Sequence, residues 1–192
     1  GNELFLKAGI ALDYETKSSY AVTVSASDSA LPDSSPVSAP FLLSVSDSNE
    51  PPTALNLSVS SFDENIPPGF VVATLASSDP DADNTFTYSL VSGSGDSDNG
   101  SFSIDGNRLL IQVSPNFESK GSYNLRIRST DQGGLWFERA VILAVNNLAE
   151  GPATFVISGT PAVGNTLLAS VGSADPDGNG SSDFTYSWQS SP

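Results

Sequence analysis

The sequence predicts an all-β protein, a series of tandem seven-stranded β-sandwiches in which the modules at both ends are truncated. Short runs of alternating apolar and polar residues dominate the chain, and no stretch has the period of an amphipathic helix. Clusters of Gly, Pro, Asn, Asp and Ser separate these runs, as turns separate the strands of a sandwich. Apolar residues make up 38% of the chain and 16 glycines add to them, which is enough for a folded core.

Nine strands are predicted along the first 145 residues, each rich in β-branched or aromatic side chains. The first two are Tyr20–Ala26 and Phe41–Val45. The next seven are Leu55–Val59, Phe70–Leu75, Phe86–Leu90, Phe102–Ile104, Arg108–Val113, Tyr123–Ser129 and Trp136–Val145. Seven short strands within about a hundred residues are typical of one complete β-sandwich.

Internal repeats set the predicted module boundaries. The similar segments are 1–28 with 106–131, 45–52 with 145–152, and 74–90 with 167–188. The predicted modules are therefore 1–50, the back half of one repeat; 51–151, a complete repeat; and 152–192, the front part of a third. A half sandwich cannot bury both sheet faces, so we expect the end pieces to be weakly stable alone. Since the chain begins with Gly1 and ends just after a strand, we expect it to be a piece of a longer protein.

Charge and composition exclude several classes of function. The 22 acidic residues outnumber the seven basic ones, leaving a formal net charge of −15. Nucleic acid and anionic membrane surfaces are poor partners, because both need a basic patch that the sequence lacks. The absence of Cys, His and Met excludes disulfides and metal sites built on thiolate or imidazole ligands.

The acidic residues cluster around the linker DSNEPP, residues 47–52, and recur at fixed places in the flanking sequence. Calcium takes six to eight oxygen ligands from carboxylates, amides and carbonyls, and tolerates irregular geometry. A shared cation would also relieve the repulsion among carboxylates that converge on one place. The candidate ligands at this linker are Asp13, Glu15, Asp47, Asn49, Glu50, Asp79, Asp81 and Asp131.

At these residues the chain resembles the cadherin repeat in its bacterial form, over residues 1–151. The matching motifs are a Glu near the first strand (Glu64), DPD (Asp79 and Asp81), LDYE (Asp13 and Glu15), the acid of a three-residue motif (Asp28 and Asp131), and a linker with Asp47, Asn49 and Glu50. The final piece resembles a divergent sandwich repeat of large bacterial surface proteins. The resemblance implies Greek-key sandwiches of the cadherin/immunoglobulin-like class.

The resemblance also implies up to three calcium ions between successive modules, with backbone carbonyls near Pro51 and Asn84 as further ligands. Asp28 would belong to an earlier linker. A second, poorer site is implied at residues 145–152, where Asn116, Asn147 and Ala149 stand in place of Asp13, Asp47 and Asn49. The candidate ligands that remain there are Glu64, Glu118, Glu150, Asp175 and Asp177.

The function expected from this resemblance is a calcium-binding extracellular segment, on a cell surface or secreted, that acts in adhesion or as a spacer. Its expected partners are calcium, neighbouring repeats of the same chain, and another surface protein or a polysaccharide. The alternative is a carbohydrate-binding module of a secreted protein, with Trp136 as a sugar platform. An enzyme with a carboxylate pair is disfavoured, because the acids repeat in each module whereas an enzyme needs one site.

Overall fold

The computed structural model describes residues 3–27, 30, 35–175, 177 and 187–189. Those residues form twelve β-strands and one short 3₁₀ turn, Asn99–Ser101, without an α-helix. The strands are β1 (Ser19–Ala26), β2 (Val37–Ser44), β3 (Ala54–Leu57), β4 (Ser61–Asp63), β5 (Val71–Ser78), β6 (Thr87–Leu90), β7 (Phe102–Asp105), β8 (Arg108–Ile111), β9 (Ser122–Thr130), β10 (Trp136–Asn146), β11 (Thr154–Ser158) and β12 (Leu168–Ser173). The all-β fold class is confirmed. The described ranges contain no helix long and apolar enough to cross a membrane.

Residues 51–151, the central module, form two facing four-stranded sheets. One sheet has the strand order β3-β5-β8-β7, and the other has the order β4-β10-β9-β6. All the pairs are antiparallel except β4 with β10, which run parallel. β10 therefore lies between a parallel neighbour, β4, and an antiparallel one, β9.

The predicted strand Leu55–Val59 ends earlier than expected, at Leu57 in β3, and the sequence analysis missed β4 in the opposite sheet. The chain leaves β3 at Ser58, whose hydroxyl accepts a hydrogen bond from the Thr74 N–H at 2.9 Å. It then joins the opposite sheet, where the Ser60 carbonyl accepts from the Ala144 N–H at 3.0 Å. Segments of three and four residues are too short for alternation to reveal such a crossing.

The core between the two sheets is built by strict alternation of inward and outward side chains. Along β9 every second residue is buried, and Leu125 and Ile127 have no exposed surface. Phe62, Phe102 and Tyr123 form an aromatic cluster with ring centroids 5.3 to 6.3 Å apart. Each large apolar side chain buried in this way contributes about 1.5–3 kcal/mol to stability. Apolar side chains of the two sheets therefore build the core of the central module.

The two end pieces are hairpins with open apolar faces. β1 pairs antiparallel with β2, and β11 pairs antiparallel with β12. Phe41 is 60% exposed and Ile157 is 62% exposed. This is the surface that a two-stranded sheet leaves uncovered, as expected for parts of a sandwich. The module boundaries at residues 50 and 151 stay a prediction.

Candidate metal centre

Four of the eight candidate ligands at the first linker come together in one place. The first linker is defined as residues 45–52, which include DSNEPP. Carboxylate oxygens of Glu15, Asp47, Glu50 and Asp81 all lie within 4.8 Å of one another. Glu15 lies in the turn before β1, Asp47 and Glu50 follow β2, and Asp81 follows β5. Three separate chain segments therefore supply four negative charges to a space of a few ångströms.

Asp13 lies beside this group and organises the turn that carries Glu15. Its Oδ1 accepts from the Thr16 N–H at 2.9 Å, and its Oδ2 accepts from the Thr16 hydroxyl at 3.0 Å. These hydrogen bonds hold the pKa of the Asp13 carboxyl below its ordinary value. Both of its oxygens are thus engaged locally, and Asp13 is not one of the four converging carboxylates.

The Asp79-Pro-Asp81 loop connects the linker to the end of β5. The Asp81 N–H donates to Asp79 Oδ1 at 3.0 Å, so the two acids share one turn. Asp81 Oδ2 in turn accepts from the backbone N–H of Glu50 at 2.9 Å. This contact seats the linker on the module that follows it.

Several polar atoms around this loop are buried without a partner. Among the described residues, Glu50 Oε2, Asp79 Oδ2 and both side-chain polar atoms of Asn84 are buried and make no hydrogen bond. An unpaired buried polar group is costly and calls for an explanation such as a bound ion. An all-oxygen set with spare carboxylate oxygens fits the preferences of calcium.

Asn49 and Asp131 form a second contact between the linker and the central module. Asn49 Nδ2 donates to Asp131 Oδ2 at 3.0 Å, and the Leu135 N–H donates to Asp131 Oδ1 at 2.9 Å. Burial alone would raise the pKa of Asp131, which is 5% exposed. The hydrogen bonds from Asn49 and from the Leu135 N–H outweigh that effect and hold this pKa below its ordinary value.

The converging acids repel one another, and their pKa values reflect it. The pKa of Glu50 is raised by burial and by the charges of Glu15 and Asp81. The pKa of Glu15 is also raised: a hydrogen bond to its own N–H lowers it, but burial and the charge of Asp47 outweigh that bond. Proximity of like charges disfavours the ionised forms, and a cation at this place would remove the penalty.

At the second linker, residues 145–152, three carboxylates converge. Oxygens of Glu64, Glu118 and Asp177 lie within 4.8 Å of one another. Glu64 is 1% exposed, and its two oxygens accept from the Phe117 N–H at 2.8 Å and the Leu148 N–H at 2.7 Å. Asp177 Oδ1 is buried without a hydrogen-bond partner among the described residues.

Glu150 and Asp175 lie outside that group of three but repeat the contacts of the first linker. The Glu150 N–H donates to Asp177 Oδ2 at 3.0 Å, and the Asp177 N–H donates to Asp175 Oδ1 at 3.1 Å. The corresponding distances at the first linker are 2.9 and 3.0 Å. The sequence analysis missed Asn65, whose Nδ2 donates to Glu150 Oε1, although it directly follows Glu64. Asp28, assigned to an earlier linker, lies outside the described residues.

The fold and the acidic groups at the two linkers define a cadherin-like domain. Among solved structures, extracellular cadherin domains 1–4 of protocadherin gamma B7 match with a TM-score of 0.58 at 21% identity, covering 93% of this chain and 48% of that chain. Domains EC1–2 of human protocadherin-24 match with a TM-score of 0.55 at 24% identity, covering 72% and 70%. Likeness at these identities shows the cadherin-like fold.

Two curated relatives are also protocadherins. The protocadherin-like wing polarity protein stan of Drosophila melanogaster is 29% identical over 189 residues, and protocadherin Fat 2 of Mus musculus is 32% identical over 152 residues. These matches cover 92% and 75% of this chain but 5% and 3% of the relatives, so the chain spans a twentieth of their length or less. No family model matches the chain. The bacterial form of the repeat and the divergent repeat at the C-terminal end stay predictions.

Proposed function

We propose that this chain is a calcium-binding extracellular segment of a cell-surface or secreted protein, which acts in adhesion or as a structural spacer. Calcium would tie the linker at residues 45–52 to the modules on its two sides. The observation that carries the proposal is the convergence of Glu15, Asp47, Glu50 and Asp81, together with buried oxygens that have no partner. The protocadherin relatives support the adhesion role.

In this arrangement the chain's own residues fall into two groups by position. Glu15 and Asp47 belong to the preceding module and the start of the linker, whereas Asp81 belongs to the following module. Asn49 and the N–H of Glu50 already hold the linker on the following module. A bound calcium ion supplies positive charge shared by both sides. The linker would then join two modules into one stiff unit.

The rival function, carbohydrate binding, is not favoured. Trp136 is 51% exposed, but the Arg128 guanidinium lies over its ring, 4.5 Å from the centroid. Arg128 also binds the Glu138 carboxylate at 2.6 Å, so this face of the indole belongs to a charged network. The protocadherin relatives likewise point to adhesion and away from an enzyme.

Calorimetric titration of the whole chain with calcium tests the proposal. We expect saturable binding that weakens strongly in Asp81→Asn, because the variant removes one of the four converging charges. Asp105→Asn is the matched control, since Asp105 is exposed on β7 and contacts Arg108 at 3.4 Å. The proposal fails if the unaltered chain takes up no calcium, or if both variants lose binding equally.

A further inference from the structure

One of the positions that differ between the two linkers changes a repulsive contact into a hydrogen bond. Asp47 of the first linker corresponds to Asn147 of the second, and Glu15 corresponds to Glu118. At the first linker, Asp47 and Glu15 are two carboxylates among the four that converge. At the second, Asn147 Nδ2 donates a hydrogen bond to Glu118 Oε1 at 3.2 Å. The change from Asp to Asn thus turns a repulsive pair into a bonded one.

A second amide acts in the same way on the linker glutamate. Asn65 Nδ2 donates to Glu150 Oε1, across 85 positions of the chain. Asn65 has a backbone φ of 61°, a left-handed conformation that Asn adopts more readily than most residues. Its own N–H donates to the Pro115 carbonyl at 2.9 Å, so the backbone that presents the amide is itself held.

The linker backbone is fixed to the same surface. The Leu148 N–H donates at 2.7 Å to Glu64, a carboxylate buried in the central module. Leu148 therefore lies between two side-chain contacts, Asn147 to Glu118 and Glu150 to Asn65. Three hydrogen bonds to carboxylates, each stronger than a bond between neutral groups, therefore hold residues 147–150 to the central module.

Among the described residues, the first linker begins with a backbone bond to the preceding module, from the Val45 N–H to the Ser18 carbonyl at 2.9 Å, and then contacts the module that follows. Asn49 and the Glu50 N–H bind Asp131 and Asp81 of the following module. Toward the preceding module, the carboxylates of Asp47 and Glu15 lie within 4.8 Å of each other, and these like charges repel. Without a cation, Asp47 should therefore move away from Glu15, while Asn49 and Glu50 stay on the central module.

We propose that residues 147–150 are clamped to the central module by the amides of Asn147 and Asn65, so that this linker keeps its position without metal. The clamp rests on the hydrogen bonds of Asn147, Asn65 and Leu148, whereas the contrast with a calcium-dependent first linker rests on the proposed function. The paired positions 47 and 147 thus decide which linker needs calcium to keep its position.

Spin labels on introduced cysteines can test the clamp, because the chain has no Cys of its own. Double electron–electron resonance on Ser89→Cys/Ala149→Cys reports the second linker against the central module. Thr23→Cys/Ser48→Cys reports the first linker against the preceding module. We expect the Ser89/Ala149 pair to give the same narrow distance distribution in chelator and in calcium. The distance distribution of the Thr23/Ser48 pair should narrow only in calcium.

Substitutions of the two amides should make the position of the second linker depend on calcium. In chelator, Asn147→Asp should broaden the Ser89/Ala149 distribution at least twofold, and calcium should narrow it again. Asn65→Ala should also broaden it, whereas the control Asn107→Asp, in an exposed turn, should not. Circular dichroism confirms that each variant keeps its β-signal.

The outcomes separate the two proposals. The clamp is overturned if the Ser89/Ala149 distance distribution is broad in chelator when Asn65 and Asn147 are both present. It is also overturned if neither Asn147→Asp nor Asn65→Ala changes the width of that distribution. If only the Thr23/Ser48 pair fails to respond to calcium, the proposed function is wrong at the first linker, while a narrow Ser89/Ala149 distribution still supports the clamp.

Discussion

The side-chain amide of Asn49 donates to the carboxylate of Asp131 at 3.0 Å, although the two residues are 82 positions apart. The contact depends on Gly133, where an added Cβ would lie 2.3 Å from the Asn49 Oδ1 atom. A glycine in the turn after β9 thus allows the linker amide to lie against the end of that strand. The first linker is positioned by this close approach as well as by its acids.

Gly133→Ala should therefore push the Asn49 amide away from Asp131 and weaken calcium binding roughly fivefold, about the effect of one lost hydrogen bond. Calorimetric titration measures the change. Gly100→Ala is the control, since a Cβ at Gly100 meets no atom within 4 Å. Equal affinities for the two variants would show that Asn49 does not position the site.

Calcium should stabilise the folded chain, because an ion that binds only the folded state shifts the unfolding equilibrium. At a hundredfold excess over its dissociation constant, one site adds about 2.7 kcal/mol to the free energy of unfolding. Thermal melts in calcium and in chelator measure this shift. Superimposable melting curves would contradict calcium binding by the folded state.

The first linker should bind calcium more tightly than the second. Four carboxylates converge at the first and three at the second, and calcium affinity depends strongly on the charge of the ligands. In a two-phase titration, Asp79→Asn should remove the tighter phase and Asp175→Asn the weaker one. The opposite assignment of phases would refute this ranking.

Glu138→Gln should lower the midpoint of thermal unfolding by on the order of 5 °C at neutral pH. The Glu138 carboxylate accepts from the Arg126 and Arg128 guanidinium groups at 2.7 and 2.6 Å, and Gln leaves both cations without their anion. Scanning calorimetry measures the midpoint. Asp105→Asn, which breaks an exposed ion pair, is the control and should change it little.

The stability that Glu138 contributes through Arg126 and Arg128 should decrease at acid pH. Hydrogen bonds from Arg128 and Arg126 lower the pKa of Glu138 below its ordinary 4.5 in the folded state. The stability that it contributes is therefore present above the unfolded pKa and is lost as the pH falls through the folded value. Glu138→Gln should flatten this acid limb, and an unchanged acid limb would show that the contact contributes nothing.

Calcium should change the shape of the chain more than its secondary structure. The core of the central module is built from fully buried apolar side chains such as Leu125 and Ile127, which have no atoms that could bind calcium. Small-angle scattering should show a narrower distribution of maximum dimension in calcium, while the circular dichroism signal of the strands stays nearly constant. If chelator abolished the β-signal, the metal would be part of the fold itself.

Local sequence pattern was sufficient to predict the fold class and to identify candidate oxygen ligands. Alternation along segments such as Tyr123–Ser129 identified a strand with one buried face, and the structure buries Tyr123, Leu125 and Ile127 there. DPD, LDYE and the linker were recognisable because each is a short contiguous motif. The sequence could not show that both carboxylate oxygens of Asp13 accept hydrogen bonds from Thr16, since that depends on the geometry of one turn.

Taken alone, the sequence determined the alternation of the strands, the repeats of similar segments and the candidate oxygen ligands, because these are properties of neighbouring residues. The tertiary structure decided which acids meet one another and which meet an amide. Glu50 and Asp81 are 31 positions apart, and Asn65 and Glu150 are 85 apart. Such contacts form only when two sheets pack and bring together the ends of strands that are far apart in sequence. No short stretch of sequence can therefore reveal them.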